Sequence, residues 1–274
     1  DPVSQTFIER IPLNSSRLSQ LMIDESGIVW IGTFDEGLIK LDPGVNKFNL
    51  YAQDIKDENT SYGKNIQAIE EDDKGNFWIA GELGALYYVD RVTHHFERIP
   101  YPDKKFSWQH FNYVPNLLLD DQKILWITTL SSLLSYDTQA QSYHMYMNDR
   151  DDSGSISNND NNGLFQDSQG NVWVIGHQLN RYDRASGDFI KYYDPEQPGI
   201  MEGNLTASKM AEDSEGNYWL ATIHYGVVRF DAITKKFRTY VRDKFDTQRV
   251  MHLIVDSQDR LWYNRDHLGL FQFD

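Results

Sequence analysis

The sequence predicts an all-β protein, a β-propeller whose blades are four-stranded antiparallel sheets. Six of its seven tryptophans recur at steps of 48, 48, 47, 46 and 43 residues, at Trp30, Trp78, Trp126, Trp173, Trp219 and Trp262. Short apolar and aromatic segments, separated by turn residues, surround each of these tryptophans. A fixed period of this length is typical of propellers and related repeat folds. We therefore expect residues 1–274 to form a single propeller domain of six repeats.

The first repeat shows the strand pattern that the later repeats follow. Leu18, Leu21 and Ile23 fit a first strand that is buried on both sides. A turn is predicted over residues 24–27, and three further strands over residues 30–33, 38–41 and 48–51. In the fourth repeat the connection after the second strand is two residues shorter.

The turn before each tryptophan has its own signature. An Asp stands six residues before the tryptophan in every repeat, at Asp24, Asp72, Asp120, Asp167, Asp213 and Asp256. A Gly stands three residues before it in four repeats, while the third repeat carries Lys123 there. Asp accepts hydrogen bonds from turn amides, and Gly adopts the positive φ that such a turn requires. We expect these residues to be architectural, with the tryptophan ring packed between neighbouring sheets.

The two ends of the chain complement each other. Residues 7–12 (FIERIP) match the outer strand of the second repeat at residues 96–100 (FERIP), whereas the sixth repeat ends without an outer strand. The N-terminal strand is therefore expected to complete the last blade and close a six-bladed ring, which leaves no open sheet edge. The alternative is an arc cut from a seven-bladed propeller.

Composition limits the partners. The 41 acidic residues against 26 basic ones give a formal charge of −15, which argues against nucleic acid or an anionic membrane as a partner. The absence of cysteine excludes disulfides and thiolate metal sites. No apolar run is long enough to cross a membrane. Since the chain opens on Asp1 without a signal peptide, we expect a mature or excised segment.

The candidate binding residues lie at the positions where the repeats differ in sequence. In a propeller, the loops between the second and third strands share one face, where ligands gather. Aromatic, carboxylate, amide and Arg side chains there suit a sugar. The candidates are Phe34, Asp35, Glu36, Glu82, His177, Gln178, His224, Tyr225, Arg265 and His267, together with the off-period Trp108 in an aromatic linker. Ordinary variation of solvated loops, or packing of Trp108 in a core, would explain the same pattern.

The full repeat, N-I-x-x-I-x-x-D-x-x-G-x-x-W-I-G-T-x-x-x-G-L-x-x-[LFY]-D followed by F-x-x-Y, resembles the two-component-regulator propeller repeat. The match covers residues 16–274, and its best copies span residues 19–51, 65–99 and 210–240. That repeat forms the periplasmic sensors of hybrid two-component systems in Bacteroides-type bacteria. Such sensors typically carry two seven-bladed propellers and a β-sandwich before a membrane helix, so this chain is much smaller.

The resemblance implies a non-enzymatic sensor without a cofactor. Such a segment would belong to an inner-membrane protein, bind a glycan-derived oligosaccharide in the periplasm and signal to a histidine kinase. Its partners would be the oligosaccharide, further propeller, sandwich and kinase modules of the same protein, and in some cases a second copy in a homodimer.

Two other functions are compatible with the sequence. A propeller lyase of the kind that opens streptogramin rings would need His bases and a Mg²⁺ site on one face, and His177, His224 and His267 lie on candidate loops. A protein-interaction platform would need a flat apolar face instead. Residues 149–160 also resemble a Ca²⁺-binding EF-hand loop, but Asp160 replaces the bidentate Glu and no flanking helices are expected.

Overall fold

The structure is a computed structural model. It describes residues 18–24, 26–34, 37–42, 47–50, 65–81, 85–93, 95–100, 113–192, 205–240, 249–265 and 269–273. All regular elements in these residues are β-strands, and the contacts among them divide the chain into two compact units, Asp1–Arg98 and Ile99–Asp274. Each unit is described by itself.

Unit 1 contains two four-stranded antiparallel sheets, named blades 1 and 2, each with its strands in sequence order. Blade 1 comprises β1 (Leu18–Ile23), β2 (Val29–Thr33), β3 (Leu38–Asp42) and β4 (Lys47–Leu50). Blade 2 comprises β5 (Ile66–Glu71), β6 (Phe77–Gly81), β7 (Leu86–Val89) and β8 (Phe96–Ile99). The first strand of blade 2 packs beside β1 and β2.

Unit 2 contains blades 3 to 6. Blade 3 comprises β9 (Leu117–Leu119), β10 (Ile124–Thr128), β11 (Leu133–Asp137) and β12 (Ser142–Tyr146). Blade 4 comprises β13 (Asn161–Gln166), β14 (Val172–Gly176), β15 (Leu179–Asp183) and β16 (Asp188–Tyr192). Blade 5 comprises β17 (Ala207–Glu212), β18 (Tyr218–Thr222), β19 (Gly226–Asp231) and β20 (Lys236–Thr239). Blade 6 comprises β21 (Val250–Val255), β22 (Leu261–Arg265) and β23 (Gly269–Phe273).

The blades of unit 2 stack in chain order, with their first strands side by side. β13 contacts β9 and β17, and β17 contacts β21. All pairings within the blades are antiparallel between sequence neighbours. These sheets confirm the predicted fold class, all-β with propeller blades. Within the described residues blade 6 has three strands.

The Asp turn forms as expected. In blade 4, Oδ1 of Asp167 accepts hydrogen bonds from the amides of Gln169 and Asn171 at 3.0 and 2.8 Å. Gly170 has a φ of 81°, and where the repeat lacks Gly, Lys123 and Asp259 take φ values of 64° and 61°. The turn therefore requires the left-handed conformation even where the residue carries a side chain and this conformation costs free energy.

The tryptophans pack between blades, as predicted. The Trp126 ring contacts Tyr182 of blade 4 at 4.8 Å, and the Trp173 ring contacts Tyr218 of blade 5 at 5.1 Å between centroids. Trp126 and Trp173 are each only 1% exposed. Each ring thus belongs to an apolar cluster shared with the next blade, which fixes the spacing of the sheets.

The expected burial of the first strand on both sides is wrong for blade 1. Leu18, Leu21 and Ile23 are 48%, 58% and 64% exposed. Successive side chains of a strand point to opposite faces, and blade 2 covers the face that carries Met22, so Leu21 and Ile23 lie on the other face. The predicted N-terminal closing strand lies outside the described residues, so ring closure and the single domain over residues 1–274 stay predictions.

Candidate functional site

The blades of unit 2 have two chemically different ends. One end, called the loop end, carries the connections between second and third strands and the residues that lead into each first strand. Backbone hydrogen bonds join these parts: the Leu205 amide donates to the His177 carbonyl at 3.1 Å, and the Ile223 amide donates to the Thr206 carbonyl at 3.2 Å. The opposite end, called the turn end, carries the repeated Asp turns.

The shortened connection of blade 4 contains His177 and Gln178. Nε2 of His177 lies 3.7 Å from Oδ2 of Asp160, and the two side chains are 37% and 53% exposed. The Gln178 carbonyl accepts hydrogen bonds from the Gly176 amide and from Nδ2 of Asn180. An exposed imidazole beside a carboxylate can donate hydrogen bonds to a ligand hydroxyl or accept them from it.

The connection of blade 5 contains His224 and Tyr225. His224 is exposed, and its ring lies 6.5 Å from the Tyr225 ring in an edge-on arrangement. Tyr225 is half-buried against the apolar cluster of blades 4 and 5, and its amide donates to Oγ1 of Thr222 at 2.9 Å. A packed aromatic ring beside an exposed imidazole is suitable for contact with a sugar face.

Two more candidates lie at strand ends. Arg265 is half-buried at the end of β22, with its guanidinium carbon 5.6 Å from the Phe271 ring centroid. Phe34 of unit 1 is half-buried directly after β2. The remaining candidates, namely Asp35, Glu36, Glu82, Trp108 and His267, lie outside the described residues, and their proposed role stays a prediction.

A group that the sequence analysis did not single out lies on the first strands of unit 2. Nζ of Lys209 in blade 5 donates to Oδ1 of Asn116 in blade 3 at 3.2 Å, and Nδ2 of Asn116 donates to the Asn162 carbonyl of blade 4 at 2.6 Å. Desolvation and the charge of Lys209 lower the pKa of His252 in blade 6, which favours the neutral imidazole. The available signal was a polar residue at one repeat position, ten residues before the tryptophan, where Asn116, Lys209 and His252 stand.

The described residues hold no group of three or more His, Cys, Asp or Glu side chains that could bind a metal. In the segment that resembles a Ca²⁺ loop, the carboxylates cap their own turns: Asp149 accepts from the Asp151 amide and Asp152 from the Gly154 amide. These contacts are those of a structured linker.

The turn end is built from carboxylates that join blades. Oδ2 of Asp24 accepts from the indole of Trp30 at 2.7 Å and lies 2.8 Å from the guanidinium of Arg91 in blade 2. In blade 2 itself, the Tyr88 hydroxyl donates to Asp72, and burial together with this bond raises the pKa of Tyr88 to about 12. The repeated Asp carboxylates therefore have a structural role, whereas the loops that differ from blade to blade lie at the loop end.

Among the described residues there is no helix with the length and apolar character of a membrane span.

Neither a family model nor a curated relative matches the chain. Solved structures do match. The extracellular domain of a proposed hybrid two-component system from B. thetaiotaomicron has a TM-score of 0.63 at 22% identity, over 76% of this chain. The chain spans only 28% of the length of that structure.

Two further solved structures match nearly the whole of this chain. A catalytically inactive virginiamycin B lyase from Staphylococcus aureus, solved with quinupristin, has a TM-score of 0.71 at 12% identity, over 95% of this chain and 81% of its own. PorZ, a surface component of the type-IX secretion system of Porphyromonas gingivalis, has a TM-score of 0.74 at 16% identity, over 95% of this chain and 38% of its own.

At these identities the similarity is one of fold. It agrees with the resemblance stated for the sequence repeat, because an extracellular domain of the two-component class shares this fold. The same fold also occurs in a lyase and in a secretion component, so the fold alone does not choose among these functions.

Proposed function

We propose that this chain is a ligand-recognition propeller of an extracytoplasmic sensor, of the hybrid two-component type, whose ligand is a glycan-derived oligosaccharide. It would act in the periplasm, as a segment of an inner-membrane protein that signals to a histidine kinase. Likeness in fold to an extracellular domain of such a system supports this assignment.

The observation that carries the proposal is the contrast between the two ends of unit 2. At the turn end, blades 3 to 6 all use an Asp carboxylate to hold the turn and the tryptophan indole. At the loop end the blades differ, and they present an exposed His177, an exposed His224 and a half-buried Arg265. A constant frame with variable polar and aromatic loops is the usual arrangement of a recognition surface.

The chemistry of the loop end suits a sugar. Tyr225 offers an aromatic face, while the imidazoles, the Gln178 side chain and the Lys209–Asn116 pair offer donors and acceptors for hydroxyl groups. Since the formal charge is −15, long-range attraction does not favour a polyanion, and recognition must depend on these local contacts.

A thermal-shift screen of the purified chain against defined oligosaccharides tests the proposal. A binder at 100 times its Kd stabilises the folded state by about 2.7 kcal/mol, which gives a clear rise in midpoint. If neither the chain nor the longer protein that contains it is stabilised by any oligosaccharide of a broad panel, the proposal is wrong.

A lyase is the second candidate, favoured by its fold similarity to the virginiamycin B lyase and by His177 and His224 on the loop end. Incubation with quinupristin and Mg²⁺, followed by mass spectrometry, separates the two. A ring-opened product would support the lyase, and unchanged antibiotic at high protein concentration would exclude this activity.

A further inference from the structure

A cavity of about 350 Å³ lies at the turn end of unit 2. It is lined by the Asp turns of blades 3 and 4, at residues 121–122 and 169–171, and by the end of β15 with the turn that follows it, at residues 181–185. Its volume falls at the lower end of the range of small-molecule pockets. None of these residues belongs to the loop end, so this inference does not depend on the proposed function.

The acidic groups of the lining are already engaged by the protein. Oδ1 of Asp121 accepts from Nε2 of Gln166 at 2.9 Å and lies 3.3 Å from the guanidinium of Arg184. Asp183 accepts from the Ala185 amide at 3.0 Å and from the Ser186 hydroxyl at 3.2 Å. Both carboxylates thus have partners within the protein, and Asp121 lies beside the cation of Arg184.

Arg181 is not engaged in this way. Within the described part of the chain its guanidinium forms no hydrogen bond or ion pair, and its Nε is buried without a partner. Its charge acts on the hydroxyls of Tyr192 and Tyr218, whose pKa values burial raises and Arg181 lowers. The Asp167 carboxylate acts on the same two hydroxyls, but it forms no ion pair with Arg181, so this half-buried guanidinium has donors left for an anion.

In blade 5 the same position holds an Arg whose two Nη atoms have partners, although its Nε is buried without one, as in Arg181. Arg229 lies opposite Trp219 in the sheet, as Arg181 lies opposite Trp173. Arg229 donates to Oδ1 of Asn217 and contacts the Tyr240 hydroxyl at 3.5 Å. Blade 4 has the corresponding Asn171 and Tyr192, yet Arg181 bonds to neither.

We propose that this cavity is a subsite for the carboxylate of a small ligand, with Arg181 as its charged partner. The guanidinium is a planar fork of donors that matches a carboxylate in two parallel hydrogen bonds. The exposed side-chain amides of Gln122 and Gln169 on the rim add further donors. An acceptor-rich group such as the carboxylate of a sugar acid or of a short dicarboxylic acid fits this set.

Isothermal titration of the full chain with D-glucuronate, glutarate and D-glucose tests the subsite. We expect at least one of the two acids to bind with a Kd of about 1 mM or tighter. Any binding of glucose should be the same in the wild type and in the Arg181 variant. Arg181→Gln should weaken the acid at least tenfold, while the matched Arg229→Gln should not. Preference for glucuronate indicates a sugar acid, and equal binding of glutarate indicates recognition of the carboxylate alone.

Two further variants keep the test decisive if Arg181→Gln does not fold. Gln122→Ala and Gln169→Ala change exposed rim residues, so they should leave the thermal midpoint unchanged and together weaken the acid severalfold. The proposal is overturned if neither acid binds, or if the acid binds equally well to the wild type and to Arg181→Gln. Should that variant be unfolded, undiminished binding by the double Gln variant overturns it.

Discussion

The indole of Trp173 donates a hydrogen bond of 2.8 Å to the carboxylate of Asp167, six residues earlier in the same blade. The same carboxylate accepts a bond of 2.9 Å from the Tyr218 hydroxyl of blade 5. One acidic side chain thus holds its own turn, orients the buried ring and joins the next blade. The bond from the indole to this carboxylate is also present in blades 1, 3, 5 and 6, which explains why Asp recurs at this position.

The bond between blades can be tested by removing one hydroxyl. Tyr218→Phe should lower the free energy of unfolding by about 1.5–3 kcal/mol, because it deletes a hydrogen bond to a buried charge. Tyr192→Phe is the matched control: that hydroxyl has no hydrogen bond to the described residues, and the change should cost less than about 0.5 kcal/mol. Urea unfolding of both variants measures the difference, and equal losses would refute the role of the Tyr218–Asp167 bond.

The carboxylates of the Asp turns predict loss of stability in acid. Burial raises the pKa of Asp167, but the hydrogen bonds from Trp173, Asn171 and Tyr218 outweigh it and hold the pKa below its ordinary value of 3.8. The pKa of Asp24 and that of Asp213 are lowered through the same balance. The unfolded chain therefore binds protons at these carboxylates more tightly than the folded chain does. Their contribution to the free energy of unfolding is complete above the pKa of the unfolded state, and it is lost as the pH falls through the pKa of the folded state.

The free energy of unfolding should therefore be nearly constant from pH 7 to about pH 5 and should fall below about pH 4. Asp167→Asn should be less stable at pH 7 and should depend less on pH below 4. Chemical unfolding at a series of pH values measures both. Equal stability of the wild type at pH 3 and pH 6 would contradict this account.

Substitutions at two glycines distinguish the cost of backbone strain from the cost of a close contact. Gly27 has a φ of 81° and no atom near the position of an added Cβ, so Gly27→Ala should cost about 1 kcal/mol through conformation alone. In β13, a Cβ on Gly163 would lie 2.7 Å from the Ser208 carbonyl oxygen of blade 5. Because a backbone atom of the neighbouring strand must then move, Gly163→Ala should cost about 2 kcal/mol or more. Thermal unfolding ranks the two, and the reverse order would be inconsistent with close contact between blades 4 and 5.

The repeat frame could be predicted from the sequence because it depends on local chemistry. The Asp at Asp167, the Gly at Gly170 and the Trp at Trp173 specify a turn and a buried ring within seven residues. The bond from the indole to the carboxylate was not predicted, since it depends on the direction in which the turn returns the chain. The exposure of Leu21 was missed because a strand's own residues do not state which of its faces a neighbouring blade covers.

The candidate site could be predicted only in part. The loop between β14 and β15 is visible as a break in the repeat, and His177 indeed lies on the loop end. The pair Lys209 and Asn116 is separated by 93 residues and is formed by blades on either side of blade 4. Such a contact follows from the stacking of blades, and no local pattern in the sequence specifies it.

The central claim is that the loop end is the recognition surface. The most direct test compares substitutions at the two ends of unit 2 and measures how each changes the affinity for the best oligosaccharide. His224→Ala and Arg265→Gln alter the loop end, and Gln139→Ala alters an exposed side chain at the turn end. By isothermal titration, we predict at least tenfold weaker binding for Arg265→Gln, severalfold weaker binding for His224→Ala and unchanged binding for Gln139→Ala. Wild-type affinity in both loop-end variants would contradict the claim.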